Sequence, residues 1–228
     1  MRNRIAAFSI AVAITALLPA SASAATIDWT NWTTVNSGSP TGGSASGTAG
    51  GITVNYSGEV LPYPGYNPIW TPTSTWADGT IIANAPPSTT QGFIPLQGGA
   101  GTGTDTITFS APVTNPVMAI WSLGQTGTLA SLQFNDPFTI VAGGPSSQFG
   151  GSAITVCSSG VCGLEGNGSI EFLGTFSSIS FTTPDPEYWY AFNVGVNAQG
   201  PVPGAGLTGL AFLALAGTAA RARGLFAR

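Results

Sequence analysis

Thr104-Asp105-Thr106-Ile107-Thr108-Phe109 sets threonine at every second position, with Ile107 and Phe109 between them. Ser177-Ser178-Ile179-Ser180-Phe181-Thr182 repeats the rule. Successive side chains on a strand point to opposite faces, so each stretch predicts a strand with one wet and one buried face. Working outward, no window between Ala25 and Gly200 holds a 3.6-residue apolar period, and Gly or Pro interrupts the chain throughout. Short β-branched and aromatic runs recur instead: Thr26 to Thr34, Ile52 to Tyr56, Thr104 to Phe109, Val117 to Leu123 and Leu129 to Phe134. Further along come Phe138 to Val141, Ile154 to Cys157, Ser169 to Phe172, Ser177 to Thr182 and Tyr188 to Val196. This spacing predicts an all-β body, an antiparallel β-sandwich or jelly roll closed in one domain over residues 25–200. The Gly/Ser-rich stretch Ser37 to Gly51 reads as a mobile loop between the first strands.

The 228-residue chain holds five Lys+Arg, nine Asp+Glu and no His, and the position of those charges decides more than their sum. Arg2, Arg4, Arg221, Arg223 and Arg228 all lie at the ends, and the nine acids all lie between them. A body without cations has no means of gripping phosphates, which excludes nucleic-acid binding and phosphate clamps. Without His, Ser-His-Asp and Cys-His catalysis and imidazole-ligated zinc are excluded too.

Both ends read as addresses. Basic Met1 to Arg4, apolar Ile5 to Leu18, Pro19 and the small-residue series Ala20 to Ala24 form a signal-peptide pattern over residues 1–24, a signal helix cut by signal peptidase after Ala24 or after Ala22. An uncleaved membrane anchor is the alternative. Residues 201–228 begin with Pro201-Val202-Pro203-Gly204, continue through apolar Ala205 to Ala220 and end in an arginine cluster that includes Arg221 and Arg223. As a helix the apolar part would rise roughly 24 Å, somewhat short of a ~30 Å hydrocarbon core, with its arginines on the cytoplasmic side.

This tripartite end resembles the PEP-CTERM sorting signal. In that family the motif reads Pro-Glu-Pro, where this chain has Pro201-Val202-Pro203. The resemblance implies handling by exosortase, a membrane-embedded transpeptidase-like enzyme, with transient C-terminal anchoring in the inner membrane before release to the cell surface or extracellular matrix. A second resemblance runs through Asn115 to Gln125, Phe138 to Gly151, Gly166-Asn167-Gly168 and Ser177 to Gly195. These segments look like an uncharacterised extracellular domain of PEP-CTERM proteins, which implies a surface protein and brings no catalytic motif.

Cys157 and Cys162, separated by Ser158-Ser159-Gly160-Val161, predict a disulfide across a hairpin tip in an exported chain. A redox pair is the alternative, and it lacks the two-residue spacing and the helix that lower a thiol pKa.

For chemistry only carboxylates, Tyr and Cys remain. Two carboxyls roughly 5 to 9.5 Å apart suffice for glycoside hydrolysis. Glu165 and Glu171 would lie too far apart on a straight strand, while Asp185 and Glu187, set among prolines, read as an exposed, solubilising turn. Trp70, Trp76, Trp121, Trp189, Tyr188 and Tyr190 offer flat faces for stacking on sugars, with core packing as the bland reading, favoured for Trp121. The candidate ligand-binding aromatics are Tyr63, Tyr66 and Trp70 in the Pro62 to Pro72 loop, together with Trp189. Calcium is the one cofactor these residues suggest, with Asp78 and Asp105 as candidate ligands and no D-x-D-x-D-G series. The sequons at Asn31, Asn55 and Asn167 read as chance matches.

Two functions fit these features. The first is a non-catalytic structural or adhesive surface module. The second is a secreted carbohydrate-binding module with exopolysaccharide as partner, or more remotely a carboxylate-dependent glycosidase.

Overall fold

The computed structural model describes residues 24–62, 74–87 and 92–198. The body begins β1 (Ile27–Trp29), β2 (Asn31–Asn36), β3 (Gly38–Ala49), β4 (Ile52–Val60) and β5 (Ile94–Leu96). It continues with β6 (Asp105–Thr114), β7 (Val117–Leu123), β8 (Ala130–Phe134), β9 (Phe138–Gly143) and β10 (Ser152–Ala153). The last strands are β11 (Thr155–Cys157), β12 (Gly160–Gly163), β13 (Gly166–Phe172), β14 (Thr175–Thr182) and β15 (Tyr190–Asn197). No helix occurs among the described residues. The segments read above as signal and sorting sequences, with Ala22, Pro201, Val202, Pro203, Gly204, Arg221 and Arg223, lie outside them.

The strands form two sheets. One runs β11-β12-β8-β14-β6-β4-β3-β2; the other runs β1-β15-β7-β13-β10, with β5 added to β15 and β9 to β13. Pairing is antiparallel everywhere except between β10 and β13. The alternating stretches behave as their pattern predicts. On β6, Ile107 and Phe109 are buried, Thr108 is exposed and Thr106 is half-buried; Thr104, just before the strand, is exposed. On β14, Ile179 and Phe181 face the same core. Burying such side chains supplies roughly 1.5–3 kcal/mol each before entropy is charged against it.

The smaller sheet is buried on both faces. Met118 and Ile120 of β7, with Tyr190, Phe192 and Val194 of β15, join the main core between the sheets. Val117, Ala119 and Trp121, with Trp189 and Ala191, face outward into a second core that also holds Ile27, Trp76, Ile82 and Phe93. This explains why Val117 to Leu123 is an unbroken apolar run while the larger sheet's strands alternate. Trp76 Nε1 donates to the Ile120 carbonyl at 3.1 Å and so ties the covering segment to β7. Asn193, turned to the outer side, donates to the carbonyls of Thr30 and Gly92.

One expectation fails. The Ser37 to Gly51 stretch is no loop: twelve of its residues form β3, paired with β2 on one side and β4 on the other. Its small side chains suit close backbone approach. A Cβ at Gly47 would meet the carbonyl of Asn31. At one edge of the larger sheet, Cys157 and Cys162 are joined across the β11–β12 hairpin, with Cα atoms 5.8 Å apart.

At the other end of the chain, Ala25 donates to the Ile81 carbonyl at 3.0 Å and accepts from Ala83 at 2.9 Å. Ala24, the predicted cleavage position, is the first described residue.

Candidate functional site

β7 runs antiparallel to both β13 and β15, so its C-terminal end lies beside the N-terminal ends of its two neighbours. That geometry gathers three chain segments at one end of the doubly buried sheet. Ser122 and Gln125 come from β7 and the turn after it, Glu165 from the approach to β13, and Glu187, Tyr188 and Trp189 from the approach to β15. With Phe149 they line a cleft of about 230 Å³.

Polar contacts hold the acids in place. Ser122 Oγ donates to Glu165 Oε2 at 2.5 Å. Asn167, fully buried, accepts from the Ser122 N–H at 2.9 Å and donates to the carbonyls of Glu165 and Gly150. Ser122 and Glu165 both hold left-handed backbone, with φ of 52° and 56°. Non-glycine residues in that region cost of order 1 kcal/mol or more and persist only where the surroundings fix them. Asn167, offered in the sequence as a sequon, is a structural clamp.

Glu187 departs most from expectation. Instead of a solubilising turn residue it is 7% exposed. Burial pushes its pKa up to about 8; backbone N–H groups of Trp189 and Gly124 partly offset this, and the nearby Glu165 adds to it. Its Oε2 is buried with no hydrogen-bond partner. Gly124 must be glycine here: its φ is 76° and a Cβ would run into the Gly163 carbonyl. The second residue of that supposed turn, Asp185, is half-buried and accepts from Ser131 Oγ at 2.5 Å.

The aromatic wall is continuous with the second core. Trp76 and Trp121 have ring centroids 5.6 Å apart, Trp121 and Phe93 6.4 Å, Phe93 and Trp189 5.8 Å, and Trp189 stacks on Phe149 at 5.4 Å and 25°. Trp189 is therefore mostly packed at 8% exposed, and Tyr188, at 75%, is the aromatic that meets solvent. Tyr190 lies opposite Trp189, in the main core. Tyr63, Tyr66 and Trp70 lie outside the described residues.

Searches of protein-family models, curated proteins and solved structures match nothing to this chain.

The two calcium candidates have separate surroundings. Asp78 Oδ1 accepts from the backbone of Thr80, Ile81 and Ile82 at 2.9–3.1 Å, which holds its carboxyl below the usual range. Asp105 points inward from β6, fully buried, with Oδ1 2.5 Å from the Tyr56 hydroxyl and 2.9 Å from the Glu59 N–H. Burial, and then Glu59, push it up to about 6 against those hydrogen bonds. Among the described residues no three acidic or cysteine side chains converge as a metal site.

Proposed function

We propose that this chain is an exported, exosortase-sorted surface or matrix protein whose non-catalytic β-sandwich adheres to extracellular carbohydrate through the cleft beside Tyr188. The carrying observation is the combination at one sheet end of an exposed aromatic ring, a packed aromatic wall and four polar side chains. Flat apolar faces with a few placed polar groups are what a sugar ring needs. The cross-hairpin disulfide supports an oxidising destination, and the Pro201-Val202-Pro203 segment with its arginines supports the sorting route. A jelly-roll connectivity is the finer form of the sandwich that we favour.

A glycosidase draws on the same residues, since Glu187 with its raised pKa beside Glu165 resembles an acid and its partner. The cleft argues against it. At about 230 Å³ it falls below the ~300–1,000 Å³ of typical small-ligand pockets and suits one ring rather than the two flanking a scissile bond.

The test combines two measurements on protein secreted by its own host. Glycan-array binding and matrix retention should both fall with Tyr188→Ala, and incubation with bound glycans should release no reducing ends. Binding unaffected by Tyr188→Ala refutes the cleft; release of reducing ends restores the glycosidase. Intact mass of the mature protein reports the sorting: loss of residues 1–24 and of the tail after Pro203 is expected, and retention of the tail identifies a plain membrane anchor.

A further inference from the structure

We propose that the cleft selects an amino sugar with a free, protonated amine, as in a de-N-acetylated polysaccharide, over its neutral or acetylated counterparts. This rests on the carbohydrate reading above and names the ligand class. Three observations carry it. First, the cleft presents two carboxyl side chains, Glu165 and Glu187, close enough to repel each other, beside Phe149, Tyr188 and Trp189. Aromatic faces with carboxylates attract organic ammonium groups, whereas a neutral sugar needs no paired acids. Second, Glu187 Oε2 is buried without a partner, and an ammonium with three N–H donors meets that need. Third, no Lys, Arg or His lies between Arg4 and Arg221, so the described body has no cation of its own to neutralise the pair.

The groups facing Glu187 are few. Glu165 stands across the cleft from the β13 approach, and Tyr190 belongs to β15 just beyond. Gly124 and Trp189 contribute only backbone N–H groups to its carboxyl. An ammonium placed between Glu165 and Glu187 favours the ionised form of Glu187. Binding at pH 6, where the sugar amines are already largely protonated and Glu187 still holds its proton, therefore moves the Glu187 carboxyl proton to solvent, with the ammonium keeping its own. A neutral ring leaves that proton in place.

The experiment is calorimetric titration of the mature secreted protein at pH 6, where the sugar amines are largely protonated, in buffers of differing ionisation enthalpy. The probes are glucosamine tetramer, N-acetylglucosamine tetramer and a neutral glucose tetramer. The expected result is at least about tenfold tighter binding of the amine tetramer, with release of a large part of one proton. Glu187→Gln removes the proton release and most of the preference for the amine tetramer over the acetylated one. Proton release on the unaltered protein needs no variant, so misfolding of Glu187→Gln leaves the test intact. Equal affinity for the amine and acetylated tetramers, or amine binding without proton release, overturns this proposal and leaves the carbohydrate reading standing. Failure of every tetramer, with matrix retention indifferent to Tyr188→Ala, overturns both. Binding of a lysine oligomer as tight as the amine tetramer overturns the sugar assignment.

Discussion

Ser122 and Glu165, on neighbouring strand ends, are joined by a 2.5 Å hydrogen bond while both hold left-handed backbone. The bond and the strain have opposite signs, and substitution separates them. Ser122→Ala removes the donor and keeps the strained φ, so it should destabilise by about 1–3 kcal/mol. Ser122→Gly removes the donor but relaxes the backbone, and should cost about 1 kcal/mol less than alanine. Urea denaturation of both variants decides it; a glycine variant no more stable than the alanine one shows the φ to be unstrained.

Acid should stabilise this protein up to a limit. Asp105 titrates near 3.8 when exposed and at about 6 in the fold. Below the lower value both states are protonated and its full contribution is present. As pH rises, the unfolded chain ionises first, so stability falls until the folded carboxyl also ionises, by about 3 kcal/mol in all. Glu187, raised from 4.5 to about 8, extends the decline in the same direction. Melting temperature should therefore drop between pH 4 and pH 8. Asp105→Asn should keep the Oδ1 acceptor, flatten the acidic part of the profile and gain on the native protein at pH 8. A melting temperature that climbs over that range contradicts the buried-acid account.

The second core should matter to the cleft as well as to the fold. Phe93 stands between Trp121 and Trp189. Phe93→Leu should cost about 1–2 kcal/mol in stability and weaken ligand binding several-fold by loosening Trp189. Trp121→Ala, at a fully buried site, should cost about 3–5 kcal/mol. Equal loss of binding from a main-core truncation of matched stability, such as Ile179→Val, would argue that the effect is global.

Reduction of the Cys157–Cys162 bridge should be mild. The cysteines are five apart, and closing so short a loop removes little entropy from the unfolded chain, roughly 2 kcal/mol. Denaturant midpoints with and without reductant test this; a loss beyond about 4 kcal/mol would mean the bridge also holds the β12–β8 pairing.

What the residues disclosed depended on how strongly side chains mark their surroundings. Val117 to Leu123 predicts a strand with the same bounds that β7 has, because an apolar run of seven suits a strand covered on both faces. β3 escaped because strand propensity is carried by branched and aromatic side chains, while β3 is Gly, Ser, Thr and Ala with one Pro, side chains that suit close backbone approach. Glu187 was misread for a different reason. Flanking prolines and a charge suggest exposure, yet Glu187, Trp189 and Ala191 are two apart in turn, and that alternation points Glu187 toward the second core. The meeting of Ser122, Glu165 and Glu187 was illegible in principle, since only the β15-β7-β13 order brings them together.

A body with nine acids and no base has no ion pair among its described residues, and its inward carboxyls lean on neutral donors such as Tyr56, Ser39 and backbone N–H groups. Dissolved salt usually takes something from a protein by screening attractions between opposite charges. Here the long-range terms it can screen are repulsions, within a Debye length of about 10 Å at 0.1 M. The folded body therefore belongs to the class that brine tightens, and it should keep its shape in media whose ionic strength changes widely.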